Sequence, residues 1–244
     1  DVPVKIYREL DSTNRAAKEA AFSGEAGHGA LILARRQKSG RGRRGRSFYS
    51  PENAGLYMSI VLRPDRTLKE GLLITTAAAT AVYRAVKKIC GIDLGIKWVN
   101  DLYLHDRKVC GILTEAVTDF ESGNIEFAVV GIGLNLYVPE EGFPEDIQET
   151  AGALFGSRKD AEHVNCSILV AEIANQLLME VETPGLSREY TENNIIPGNM
   201  IVIADGARTR EAYAEAIASD GRLLVREQDG SETCLLYTSP SPRD

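Results

Sequence analysis

The sequence predicts an α+β fold: a mixed sheet with flanking helices, followed by a small all-β barrel. Three observations carry this. Two stretches, 69–90 and 166–182, repeat apolar residues at helical spacing. Strand-like runs cluster between them without the strict alternation a doubly wound parallel sheet requires. Beyond Ile196-Pro197-Gly198 only short alternating runs remain, parted by Asp-Gly pairs. The 244 residues (26.6 kDa, 43% apolar, 26% charged) suffice for one large domain and one small one, and exclude disordered or collagen-like chains.

Val4 to Leu10 reads as a short strand. Asp11-Ser12-Thr13-Asn14 supplies helix-capping residues, after which Ala16, Ala17, Ala20 and Ala21 repeat at helical spacing until Gly24, Gly27 and Gly29. Ala30 to Ala34 is a continuous apolar run and reads as a buried strand; Gly55 to Leu62 is another, stopped by Pro64. The helix from Lys69 to Cys90 places Leu72, Thr76, Ala79, Tyr83 and Val86 on one face and stops at Gly91. Strands are expected over Leu94–Val99, Lys108–Val117 and Ile125–Gly131, the last two joined as a hairpin at Glu121-Ser122-Gly123-Asn124. A second helix, about Cys166 to Glu182, aligns Leu169, Ile173, Leu177 and Val181.

Asp205-Gly206, Asp220-Gly221 and Asp229-Gly230 then separate short runs such as Met200–Ile203 and Leu223–Arg226. Asp-Gly between apolar runs is a strong hairpin signal. The expected division is 1–195 for the large unit, 196–236 for the barrel and 237–244 for a tail foreign to it. No internal repeat is present.

No apolar run approaches the ~20 residues that span a bilayer, and Asp-Val-Pro-Val begins no signal peptide. No initiator Met heads the chain, so a piece of a longer protein is expected. Cys90, Cys110, Cys166 and Cys234 are scattered among only three histidines. That argues against a zinc cluster or disulfide scaffold, and for a reducing cytoplasm.

The charge is uneven. Lysine and arginine total 28 against 35 acids, a net −7, which disfavours a general nucleic-acid binder. Yet Arg35 to Arg46 (RRQKSGRGRRGR) holds seven basic residues and no acid. An acidic chain has concentrated its positive charge in one glycine-rich loop, where an anion is expected.

Gly40-Arg41-Gly42-Arg43-Arg44-Gly45 matches G-x-G-x-x-G literally, but the dinucleotide fingerprint requires a helix to open directly after it. Ser47-Phe48-Tyr49-Ser50-Pro51 is no helix start, so that reading fails. A kinase loop lacks its H-R-D and D-F-G companions, and no G-x-x-x-x-G-K-[ST] exists. A phosphate here would be held by arginine forks and backbone amides; the competing reading is a solvated basic loop. Asp11-Ser12-Thr13-Asn14 is either a surplus helix cap or a set of groups for a neutral polar head. Lys97-Trp98-Val99-Asn100-Asp101, Lys108-Val109-Cys110-Gly111-Ile112-Leu113 and Gly131-Ile132-Gly133-Leu134-Asn135 each place polar or glycine positions at strand ends. Each is weak alone.

In this order and spacing, DSTN, QKSGRGRRGR, KWVNDLYL, KVCGIL and GIGLN closely resemble the catalytic region of biotin protein ligases, from about Asp11 to Asn135. The resemblance implies a catalytic domain of the class II aminoacyl-tRNA synthetase type with an SH3-like β-barrel after it. It implies that biotin and ATP form biotinyl-5′-adenylate, with Mg²⁺ as activator and no tightly bound cofactor. The biotinyl group would then pass to one lysine of a biotin carboxyl carrier protein, such as that of acetyl-CoA carboxylase.

By motif match, Ser12, Thr13, Asn14, Gln37, Arg41, Gly42, Arg43, Lys108, Gly111, Gly131 and Gly133 would hold biotin or its adenylate, with Lys108, Arg41 and Arg43 catalytic. Arg46, Lys97, Asn100 and Asn135 would handle ATP, and Asp101 the Mg²⁺. Val99 stands where many members have proline and Gly55 where some have asparagine. No DNA-binding helix-turn-helix precedes Asp11, so neither the repressor activity of two-domain members nor a nucleic-acid partner is expected. No membrane partner is expected, and a homodimer is left open. The competing readings are a lipoate-type ligase, whose Arg-Arg-x-x-Gly-Gly-Gly loop is missing here, and an Arg/Gly-loop nucleic-acid module.

Overall fold

The computed structural model describes residues 3–67, 70–119, 121–205, 208–236 and 241–242. In chain order the large unit runs β1 (Val4–Leu10), α1 (Thr13–Phe22), β2 (Leu31–Gln37), β3 (Gly55–Leu62), α2 (Gly71–Cys90), β4 (Gly95–Lys97), β5 (Asp101–Leu104), β6 (Arg107–Thr118), β7 (Ile125–Asn135), α3 (Cys166–Glu182) and α4 (Arg188–Glu192). Its seven strands form one mixed sheet ordered β1-β2-β3-β7-β6-β5-β4, in which β1 and β2 are parallel and the other pairs antiparallel. Mixed pairing with helices on both faces makes the fold α+β, as expected.

Side chains alternate across a sheet, so each strand serves two faces. Met58, Ile60 and Leu62 of β3 and Val130, Ile132 and Leu134 of β7 join the main core with α2 and α3. Val61, Phe127 and Val129 face the other way and pack with Ala17 and Ala21 of α1. This second core is short, since α1 covers only part of its face. The uncovered remainder is where the site lies.

Helix α2 is buried almost all round because it lies between the sheet and α3; its one charged central residue, Arg84, pairs with Glu180 of α3 and Glu189 of α4. Asn165 caps α3 by accepting from the amides of Ser167 and Ile168, and Gly91 ends α2 at φ 70°.

The expected helix start at Lys69 lies outside the described residues. The expected strand Leu94–Val99 shrinks to β4, because Trp98 to Asn100 turn into β5, a strand the sequence pattern does not reveal. β7 runs four residues past the expected Gly131 end, since Gly133 pairs with both Tyr57 and Gly111.

β8 (Met200–Asp205), β9 (Arg208–Ile217), β10 (Leu223–Glu227), β11 (Glu232–Leu235) and β12 (Ser241–Pro242) form a second, antiparallel sheet ordered β11-β10-β9-β8-β12. The expected barrel is not closed among the described residues: β11 and β12 stand at opposite edges and do not pair. Of the expected hairpins, Asp220-Gly221 and Asp229-Gly230 join β9 to β10 and β10 to β11, whereas Gly206 lies outside the described residues. So does the expected tail, except for Ser241 and Pro242, whose backbone pairs with Val202 and Ile201. The indole Nε1 of Trp98 donates to the carbonyl of Gly221 at 2.8 Å, tying this sheet to the turn before β5.

Candidate active site

The uncovered sheet face is paved by register. Tyr57, Gly133 and Gly111 lie side by side on β3, β7 and β6, with Ser59, Gly131 and Leu113 in the adjoining row. Three glycines in two rows make a trough, and its neighbours fill the space that side chains would need. A Cβ on Gly131 would lie 2.0 Å from Asn14 Oδ1, and one on Gly133 would lie 2.5 Å from the ring of Phe48.

One end of the trough is neutral and polar. Ser12, Thr13, Asn14 and Ser59 are buried there. Asn14 donates its amide protons to Leu113 O (3.1 Å) and Glu115 Oε2 (3.0 Å), while its oxygen accepts from Ser59 Oγ (2.7 Å). Gln37 Oε1 accepts from the Thr13 amide and hydroxyl, and its Nε2 donates to Ser50 Oγ. Ser12 occupies the N-cap position of α1, yet its side chain makes no capping hydrogen bond. The four polar residues 11–14 are therefore not merely a surplus cap.

The other end is cationic. The Arg/Gly segment forms one 3-10 turn, Arg43–Gly45, with Arg44 at φ 55° and no helix after it, which disposes of the dinucleotide fingerprint. Hydrogen bonds from Phe48 N to Gly40 O and from Gly42 N to Arg46 O fold the loop back over the trough. Arg41 pairs with Glu115 at 3.3 Å, and Arg43 donates to Asn100 Oδ1 at 2.8 Å. Lys108 meets Asp101 at 2.7 Å; the anion an inward-held lysine needs is already supplied by the protein. Phe48 covers Gly111 and Gly133, leaving only about 50 Å³ of open volume.

Residues 6–135 match the model of the biotin/lipoate A/B protein ligase family. The bifunctional ligase/repressor BirA of Bacillus spizizenii is 36% identical over 238 residues, 92% of this chain and 70% of that protein. The chain belongs to the biotin/lipoate A/B protein ligase family. Another relative, the biotin–[acetyl-CoA-carboxylase] ligase of Paracoccus denitrificans, is 40% identical over 136 residues, 54% of this chain and 53% of that protein. The fold is also that of the biotin protein ligase from Aquifex aeolicus in complex with biotin and ATP, with a TM-score of 0.77, 23% identity and coverage of 99% of this chain and 98% of that one.

Of the residues expected to form the site, the trough brings together Ser12, Thr13, Asn14, Gln37, Arg41, Gly42, Arg43, Asn100, Lys108, Gly111, Gly131 and Gly133. Asp101 joins through its pair with Lys108. Three expected residues do not line it. Lys97 lies 5.1 Å from the Tyr103 ring centre, Arg46 closes the loop's 3-10 turn, and Asn135 donates to Gly152 O, anchoring the segment after β7. Phe48, Ser59 and Glu115 also belong to the site, although no sequence motif points to them. Phe48 follows the arginine loop and Glu115 closes KVCGILTE, but Ser59 has no signal inside an apolar strand.

A resident Mg²⁺ at Asp101 does not fit these residues. Its one carboxylate is neutralised by the Lys108 ammonium and also accepts from Asn100. Among the described residues no group of three or more His, Cys, Asp or Glu could hold a metal.

Proposed function

We infer that this chain is a biotin protein ligase: it activates biotin with ATP to biotinyl-5′-adenylate, then passes the biotinyl group to a lysine of a carrier protein of the acetyl-CoA carboxylase type. One observation carries the choice of substrate. A buried cluster of neutral hydroxyls and amides closes one end of the trough, and a cluster of cations stands at the other. Biotin has that polarity: a neutral ureido head with donors and an acceptor, an apolar body, and a carboxylate tail. The dithiolane of lipoate has no N–H or O–H to offer and only weak sulfur acceptors, so it could not exchange hydrogen bonds with this cluster as a ureido group can.

In this reading Ser12, Thr13, Asn14 and Gln37 seat the ureido head, Gly111 and Gly133 let the bicyclic body lie against the backbone, and Gly131 gives Asn14 its room. A biotin carboxylate oxygen attacks the α-phosphorus of ATP; the new O–P bond forms as the bond to pyrophosphate breaks. Two anions must meet, so repulsion dominates the barrier, and Lys108, Arg41 and Arg43 offset it without any enzyme nucleophile. Lys108 is held to the strand's edge by Asp101 and turns from one anion to another, so a charged ammonium is in place beforehand. In the second step the acceptor lysine's amine attacks the acyl carbon, forming the amide, losing a proton and releasing AMP. The folded-back loop keeps water from the anhydride meanwhile.

Asn100 supports ATP through Arg43, whereas the roles expected of Arg46, Lys97 and Asn135 have no such geometric support. Any Mg²⁺ arrives as the counter-ion of ATP. Residues 1–195 would form the catalytic unit and 196–236 a unit of its own, in a cytoplasmic enzyme. No helix among the described residues is long and apolar enough to cross a membrane. The net charge of −7 argues against a nucleic-acid module.

The test is to incubate the purified chain with ATP and either biotin or lipoate, desalt it, and analyse the retained small molecules by mass spectrometry. Biotinyl-5′-adenylate is expected with biotin and none with lipoate; lipoyl-adenylate alone would overturn the substrate assignment.

A further inference from the structure

Beneath the arginine loop runs a connected set of polar side chains. It starts at Arg41, passes through Glu115 to Asn14, and continues from Asn14 through Ser59 to Thr13. From Thr13 it reaches Gln37, then Ser50, whose hydroxyl donates to the carbonyl of Phe48. The chain of contacts thus begins on one limb of the loop and ends on the other, passing under the polar end of the trough.

Glu115 is the single charged member between the loop and the buried residues. Alternation along β6 puts it on the same face as Gly111 and Leu113, with its side chain 21% exposed. Its two oxygens have different partners: Oε2 takes an amide proton of Asn14 at 3.0 Å, and Oε1 pairs with Arg41 at 3.3 Å. The second Asn14 amide proton goes to Leu113 O, so Glu115 and that carbonyl together dictate which way the Asn14 amide faces.

We propose that Glu115 is a positioning residue, one carboxylate orienting the head-group amide of Asn14 and holding Arg41 of the closing loop, so that seating the head group and closing the loop are linked. The proposal rests on the ligase reading above. Its chemistry separates the two tasks. A glutamine at 115 keeps an oxygen for the Asn14 amide but has no charge for Arg41, whereas an alanine keeps neither.

The experiment measures biotin affinity by calorimetry and biotinyl-adenylate dissociation by filter retention, for wild type, Glu115→Gln, Arg41→Ala and the double variant. Glu115→Gln should bind biotin within about twofold of wild type but release adenylate about three- to fivefold faster, the range for one partly exposed ion pair. Arg41→Ala, which also loses its own charge at the adenylate, should release it at least as fast, and adding Glu115→Gln to Arg41→Ala should change the rate no further, since the link is already broken. Glu115→Ala, if it folds, should also weaken biotin binding. A purely packing role would lower affinity and retention together and leave the effects of the two substitutions multiplicative. That result, or wild-type retention in Glu115→Gln, overturns the proposal. A wild-type chain that makes no adenylate from biotin instead overturns the ligase reading, and the coupling with it.

Discussion

Gly131→Ala should destabilise the protein far more than Gly133→Ala, although both add one methyl group to the same strand face. At Gly131 the new Cβ would lie 2.0 Å from Asn14 Oδ1. Asn14 cannot step aside cheaply, because Ser59, Leu113 O and Glu115 hold its amide from both ends. Displacing it leaves buried polar groups unpaired at about 1–3 kcal/mol each, and overpacking adds about 1–3 kcal/mol. A total of about 3–4 kcal/mol follows, a large share of the ~5–15 kcal/mol that stabilises a typical domain. At Gly133 the Cβ meets ring carbons of Phe48, 2.5 Å away but at the end of a side chain that can swivel. The expected loss there is below ~1 kcal/mol. Urea denaturation of the three proteins, with equal m-values required, measures both numbers. Gly131→Ala within ~1 kcal/mol of wild type would refute the claim that Asn14 is fixed against a side-chain-free floor.

Lys108→Gln should slow single-turnover adenylation at saturating biotin and ATP by ~2–4 kcal/mol of barrier, with biotin affinity falling less, and Lys108→Arg should rescue only partly; wild-type rates in Lys108→Gln would make the lysine a mere partner of Asp101. Arg84→Met should lower thermal stability, because it leaves Glu180, 8% exposed, without its cation. Breaking a buried pair costs ~3–5 kcal/mol, reduced here to about 2–3 by the partial exposure of Arg84, or about 5–10 °C in Tm by calorimetry. Stability should also fall in acid: hydrogen bonds from Arg84 hold Glu189 down at about 2, against an ordinary 4.5. Its folded value lies below its unfolded one, so its contribution is present above pH 4.5 and is lost as pH falls towards 2. A midpoint-versus-pH series in wild type and Arg84→Met should show a shallower acid slope in the variant, because one of the carboxylates held below its ordinary value loses its main partner.

Much of this site was legible because its chemistry is local in sequence. β1, β3 and α3 match their expected limits: capping residues follow Leu10, Pro64 stands beyond Leu62, and Leu169, Ile173, Leu177 and Val181 repeat at helical spacing through α3. The glycines of GIGLN and KVCGIL suggested close approach, and register shows why: Gly111 and Gly133 are neighbours across β6 and β7. Sequence could not show β5, four residues long and begun directly after a turn, nor that Lys108 would find Asp101 across that strand pair. Glu115 and Ser59 were hidden for a related reason. Their roles come from contacts with Asn14, 101 and 45 residues away along the chain. Lys97 and Asn135 lie in motifs beside the site, yet their side chains are spent on Tyr103 and Gly152.

In the proposed reading a neutral polar pocket and a cationic loop together make an acyl-adenylate site for biotin. ATP–pyrophosphate exchange by the purified chain tests it most directly. Label exchange should require biotin, gain no support from lipoate, and fall sharply in Lys108→Gln. Exchange that proceeds equally without biotin, or only with lipoate, would contradict that reading.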